Sequence, residues 1–246
     1  MLLAGGLSFF ATYAWIWTLQ AEGRSAAALD MADMGMTDVD KYWAFPVLQA
    51  SGLIGLLFAY VTILVGLMQS SWYAKRFGLH QLHRQLSLMV IGLVLVHIAA
   101  TVFDAMGNSW ITVLIPGQVA ATGWPEAEWG FDTGIFALYA LLLTAPTYYL
   151  RHRIGVGRWK ILHRFVVVFY VLALWHTFLL GLDVSHYQWV RPAIWLAQIP
   201  LLVLLVSRLR ETGALGRRSS VALSAAAVTA VCLLVVTGNS GFIPTV

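Results

Sequence analysis

Four of the seven histidines in this chain fall at two nearly equal spacings. Residues 83–97 read HRQLSLMVIGLVLVH and residues 163–176 read HRFVVVFYVLALWH. Each stretch opens on a His-Arg pair, runs through mostly apolar residues and closes on a second histidine. On a helix the first pair is separated by about 21 Å and the second by about 20 Å, so each helix offers an imidazole near either end. Zinc would want three or four N, O or S donors gathered at one point. Two opposed imidazoles across an apolar gap suit haem iron instead, because a porphyrin needs greasy walls and axial nitrogens. The competing reading is interfacial or helix-packing histidines. Paired register at membrane depth weighs against it.

The rotation of the two stretches differs. Fourteen residues return a helix to within about 40° of its starting face, but thirteen leave it about 140° away. The stretch 163–176 therefore needs a local irregularity, or it approaches two groups from different sides.

The elements that must position these histidines follow from composition. Of 246 residues, 60% are hydrophobic and 11% charged, and the mean hydropathy is +0.78. Soluble domains carry roughly 25% charged residues, so the solvent here is a lipid bilayer. Seven stretches are long enough to span it: about 2–20, 45–69, 85–105, 133–150, 161–181, 189–207 and 220–238. Lys75, Arg76, Arg84, Arg151, Arg153, Arg158, Lys160, Arg164, Arg208, Arg210, Arg217 and Arg218 share one face under this division. Only Arg24, Lys41 and Arg191 fall on the other, which takes ten of the eleven acidic residues. The positive-inside rule then puts the N-terminus inside and the C-terminus outside. The net charge of +4 reflects this topology and gives no sign of nucleic acid. Span one has no basic leader and carries Trp15 and Trp17, which reads as a retained helix. Cys232 is the only cysteine, so disulfides, thiolate clusters and covalent c-type haem are excluded.

HR-x12-H and HR-x11-H on two helices, the second preceded by RHRIGVGRWKIL, resemble the ferric reductase-like transmembrane domain. That superfamily includes the NADPH oxidases, the metalloreductases and the haem membrane subunit of a bacterial methionine sulfoxide reductase system. The cytochrome b of the quinol–cytochrome c reductases, with equal steps on both helices and a longer chain, matches less well. The resemblance implies an all-α polytopic bundle: a six-span haem-binding core over about 45–207, with span seven added, in one transmembrane domain over 1–246. It implies two b-type haems whose iron ligands are His83 with His163 on the inner side and His97 with His176 on the outer. Arg84 and Arg164 would pair with haem propionates, unless they are ordinary inner-face anchors. Gly92 would let a flat macrocycle approach its helix, and Phe169 would stand between the haems, although packing explains both. His80 is the rival of His83. His152 lies in a basic loop, and His186 with Tyr187, Trp189 and Arg191 sits at the outer end of span six.

Two outer loops stand out. Residues 21–44 are acidic, with Met31, Met34 and Met36 close together; thioethers suit Cu(I), but a solvated loop is the simpler reading. Residues 106–132 hold Trp110, Trp124 and Trp129, which suggests a cap over the outer site or a docking surface. Spans six and seven are joined by only ETGALGRRSS, and no G-x-G-x-x-G follows a strand, so no flavin or nicotinamide domain is expected. Electrons would then enter from a separate flavoprotein or a quinol and leave to an outer acceptor, such as a protein. The expected function is transmembrane electron transfer as a membrane cytochrome b component, in a bacterial inner membrane. The alternatives are an anchor subunit with one haem or none, and a histidine-relay transporter.

Overall fold

Pro146, Gly155 and Phe165 divide what the sequence presents as two long apolar stretches into four helices. The computed structural model describes residues 2–30, 38–70, 76–104, 108–119 and 127–211. In chain order the helices are α1 (Leu2–Ala21), α2 (Ala26–Asp30), α3 (Ala44–Leu67), α4 (Leu79–Phe103), α5 (Trp110–Leu114), α6 (Glu128–Thr144), α7 (Thr147–Ile154), α8 (Val156–Arg164), α9 (Val166–Leu180), α10 (Leu182–His186) and α11 (Val190–Glu211). Among the described residues there is no strand. In hydrocarbon every backbone polar group must be satisfied internally, and a helix does that within one segment.

Four stretches are long and apolar enough to cross a membrane: Ala44–Leu67, Leu79–Phe103, Val156–Leu180 and Val190–Glu211. The pair α6 and α7, bent by 41°, makes a fifth. Proline disfavours helix in the residue before it and cannot donate an N–H, so the bend falls at Ala145-Pro146. The protein is an integral membrane protein. Of the seven expected spans, four or five are found among the described residues. The first expected span forms the 20-residue helix α1. The seventh, with Cys232, lies outside the described residues, as do Lys75, Arg217 and Arg218.

The chain divides into two compact units. The first comprises residues 1–57 and 89–182. Its main helix pair is α6 against α9, and the approach is close. A β-carbon on Gly130 would lie 2.4 Å from Leu180 Cγ. Beside this pair the outer loop is partly folded. Ser25 Oγ accepts the Ala28 N–H at 3.0 Å, and Ala27, Tyr42 and Phe45 form a small buried cluster that Leu182 joins. Residues 21–44 are thus packed at both flanks, where a solvated loop was expected. Tyr42 and Phe45 supply the apolar area that anchors it.

Residues 108–119 are tied to α6. The Gly117 N–H donates to Asp132 Oδ1 at 2.9 Å, and the Tyr139 hydroxyl donates to the Leu114 carbonyl. Gly117 has φ +76°, a conformation open to glycine and strained for other residues. Trp110 and Trp129 are exposed. Trp124 is outside the described residues.

The second unit comprises residues 58–88 and, among those described, 183–211. Gln69 Nε2 donates to the Leu79 carbonyl at 3.0 Å and clips the end of α3 to the start of α4. In α11 the Arg191 side chain is buried, and its Nε has no hydrogen-bond partner among the described residues.

Candidate functional site

In the first unit His97 on α4 and His176 on α9 come together. Their ring centres are 6.1 Å apart and the rings are nearly perpendicular, at 87°. Two imidazoles on opposite sides of one metal ion, with metal–nitrogen bonds of about 2 Å, would have ring centres ~6.2 Å apart. Among the described residues no three His, Cys, Asp or Glu side chains gather as a metal-holding group. The arrangement is a pair.

Each of these imidazoles is anchored from behind. His97 Nδ1 lies 3.0 Å from the Leu48 carbonyl on α3. His176 Nδ1 lies 2.8 Å from the Gly130 carbonyl on α6. A carbonyl only accepts, so in both rings Nδ1 carries the proton and donates it. The tautomer follows: Nε2 keeps the lone pair and is the nitrogen available to a metal.

The second unit repeats the device. His83 Nδ1 lies 3.0 Å from the Thr62 carbonyl on α3, so its Nε2 is likewise the metal-competent atom. His80, its rival in the sequence, is exposed at the start of α4. His83 is half-buried and seated.

A glycine stands four residues after each accepting carbonyl. Built β-carbons on Gly52 and Gly66 would lie 3.2 Å from His97 Cε1 and His83 Cε1 respectively. One on Gly134 would lie 2.7 Å from His176 Nδ1. In a helix the carbonyl of residue i uses one lone pair for the N–H of residue i+4. The side chain at i+4 flanks the second lone pair, and glycine leaves it open. Leu48–Gly52, Thr62–Gly66 and Gly130–Gly134 are three cases of one seat. A second regularity runs along α4: Ser87 Oγ donates to the His83 carbonyl at 2.8 Å, and Thr101 Oγ1 to the His97 carbonyl at 2.9 Å.

His163 sits differently. It closes α8, and its ring stacks on Trp159 at 5.4 Å and 26°. Tyr148 meets Trp159 edge-on at 6.2 Å, with Arg151 over the Tyr148 ring at 4.1 Å. Between His163 and His176 the helix breaks at Phe165. The Phe165 N–H bonds the Leu162 carbonyl and the Val168 N–H bonds the Phe165 carbonyl, at 3.0 and 2.9 Å. These are three-residue steps, and a 3₁₀ turn rotates about 20° more per residue than an α-helix. The overwinding recovers part of the angle that thirteen residues leave open. The irregularity expected of this stretch is there.

Of the remaining candidates, Arg84 and Arg164 are exposed and meet no carboxylate among the described residues. Gly92 faces open space, with no atom within 4 Å of where its β-carbon would be. Phe169 is buried in the first unit. His152 is exposed, and His186 meets Tyr187 edge-on at 4.9 Å. Met31, Met34, Met36 and Asp33 lie outside the described residues. Asp38 Oδ1 accepts the N–H groups of Asp40 and Lys41 at 3.1 and 3.2 Å, which commits it to a turn.

Residues 51–174, just over half of the chain, match the family described as ferric reductase like transmembrane component. The chain belongs to that family. No curated protein and no solved structure matches it. Domains of the ferric reductase-like family generally bind haem, and membership points to electron transfer across a membrane. The matched segment holds His83, His97 and His163, with Gly52, Gly66, Gly130 and Gly134; His176 lies two residues beyond it. The residues fit the group: a pair of imidazoles with Nε2 free, at a ring spacing suited to one metal ion, on apolar helices.

Proposed function

We propose that this chain is a membrane cytochrome that binds two b-type haems and carries electrons from an inner-side donor to an outer-side acceptor. The observation that carries the reading is the His97–His176 pair, 6.1 Å between ring centres. Each Nδ1 is tied to a helix backbone, and each Nε2 is left as a ligand. His97 and His176 would hold the outer haem, and His83 and His163 the inner one. When bound, haem iron supplies the one-electron chemistry; ligation, orientation and burial are the protein's part.

The residues divide that part among them. The Leu48, Thr62 and Gly130 carbonyls hold three imidazoles in one tautomer, with more basic Nε2 atoms. Arg84 and Arg164, next to the inner ligands, would balance propionate charge. The apolar lengths of α4 and α9 keep water from the space between the two levels. Arg153, Arg158, Lys160 and Arg164 are exposed together on α7 and α8. They favour a donor with an acidic docking face, such as a separate flavoprotein, over a neutral one; a membrane quinol is the other donor in keeping with this reading. Basic loops inside and an inner bacterial membrane complete the proposal.

The test is stoichiometry and selective loss. Purified protein should give two haems per chain in a pyridine haemochrome assay. His97→Ala and His176→Ala should each remove the same haem and leave the other six-coordinate, because each imidazole is one of two axial ligands. One haem or none in the unsubstituted protein would refute the two-haem reading in favour of an anchor subunit. Loss of different haems in the two variants would refute the pairing.

A further inference from the structure

We infer that Gly52, Gly66 and Gly134 are positioning residues, each four residues after an acceptor carbonyl and each setting the tautomer and ring plane of the histidine seated there. The inference rests on the haem reading above and names what controls the iron ligands within it.

Glycine is common in membrane helices, where it lets backbones approach. That explanation alone does not separate these three from their neighbours. Gly6 and Gly92 face open space, and a β-carbon on Gly55 would meet Leu93 Cβ at an ordinary 3.6 Å. At Gly52 and Gly66, among the described residues beyond the glycine's own stretch of helix, the only atoms within 4 Å of the missing β-carbon belong to the seated imidazole. The space that glycine vacates is therefore filled by histidine. At Gly134 the three nearest atoms are also those of an imidazole, 2.7, 2.9 and 3.3 Å away.

The arrangement recurs with one geometry in both units: acceptor carbonyl at i, glycine at i+4, Nδ1 at 2.8 to 3.0 Å. On α3 the two seats are fourteen residues apart, Leu48 and Thr62 as acceptors, Gly52 and Gly66 as gaps. The histidines they serve on α4 are also fourteen apart, in the reverse order. α3 carries no histidine, yet it would govern one ligand of each haem.

The chemical consequence is local. An Nδ1–H that donates to a carbonyl makes Nε2 a stronger donor and favours ferric over ferrous iron. It also fixes rotation about the metal–nitrogen bond, so the 87° between the His97 and His176 planes is set by the seats. Near-perpendicular axial imidazoles give a strongly anisotropic low-spin ferric signal.

The experiment uses the full-length, haem-loaded protein with Gly52→Ala, Gly66→Ala and Gly134→Ala, and Gly55→Ala as the control. Each is read by redox titration and by the ferric electron paramagnetic resonance spectrum. Gly52→Ala and Gly134→Ala should both shift one haem, and Gly66→Ala the other. Weakening such an outer contact changes ligand affinity by about tenfold or more; a tenfold loss falling on the ferric state is about 59 mV upward for a one-electron couple. Gly134→Ala should have the largest effect, including loss of its haem, because its intrusion is the deepest. Gly52→Ala reads the same haem should that variant fail to load. Gly55→Ala should leave both potentials and both signals in place. Two haems in the parent with potentials unmoved in the three variants, or moved equally by Gly55→Ala, would overturn the inference alone. A parent without haem would overturn the haem reading and this inference together.

Discussion

Gly130→Ala should destabilise the protein by itself and stabilise it once Leu180 is shortened. The β-carbon would lie 2.4, 2.6 and 3.0 Å from Leu180 Cγ, Cδ2 and Cδ1. Carbon atoms rest at about 3.5–4.0 Å, so the overlap at Cγ exceeds an ångström and the whole isobutyl group must move. Overpacking of that kind costs about 1–3 kcal/mol. Replacing a helical glycine with alanine returns up to ~1 kcal/mol of propensity. The net for Gly130→Ala is a loss of about 1–2 kcal/mol. Leu180→Ala removes all three clashing atoms and opens a cavity, at about 2–5 kcal/mol. In that background the added methyl meets no Leu180 side chain, and Gly130→Ala should turn neutral or favourable. The assay is thermal unfolding of the four detergent-solubilised proteins, followed by helical signal and by haem absorbance. A coupling of about 0.5–3 kcal/mol is the range for residues in contact. Additive losses would show that α6 and α9 do not approach through this pair. The reasoning about their close packing would then be wrong.

Two further outcomes can be checked independently. Asp132→Ala should release residues 108–119 from α6 by removing the acceptor of the Gly117 N–H; a hydrogen bond to a charged group is worth about 1.5–3 kcal/mol, so amide exchange there should quicken at least tenfold while α9 is unaffected, and unchanged exchange would show that the loop is held otherwise. Reduced protein should be reoxidised faster by cationic than by anionic ferric complexes, because Asp38 and Asp40 are exposed on the outer loop; the advantage should fall as salt shortens the screening length to roughly 10 Å and below, and equal rates at every salt concentration would point to an uncharged acceptor or a docked protein.

The histidine pairs were legible because spacing along a helix is a property of sequence alone. The same arithmetic left open an irregularity between His163 and His176 or an approach from two sides, and Phe165 supplies the irregularity. The seats were not legible in that way. Gly52 and Gly66 repeat the fourteen-residue step of His83 and His97, and Ser87 and Thr101 repeat it again. The signal was present, but it gains meaning only once α3 is known to lie beside α4. Gly134 gave no signal, since its partner is 42 positions away in the chain. The segment 21–44 misled for a different reason: its charge reads as a solvated loop, but Tyr42 and Phe45 bury against Ala27.

The matched fourteen-residue steps on α3 and α4 make each helix a gauge for the other. One residue inserted between Gly52 and Gly66 would turn one seat by about 100° and slide it about 1.5 Å relative to the other. One of the two histidines would then lose its carbonyl, whichever end kept its register. A compensating insertion between His83 and His97 would restore both contacts. Length variation within the arms of this hairpin is therefore tolerable only in pairs, one residue in each helix at the same level.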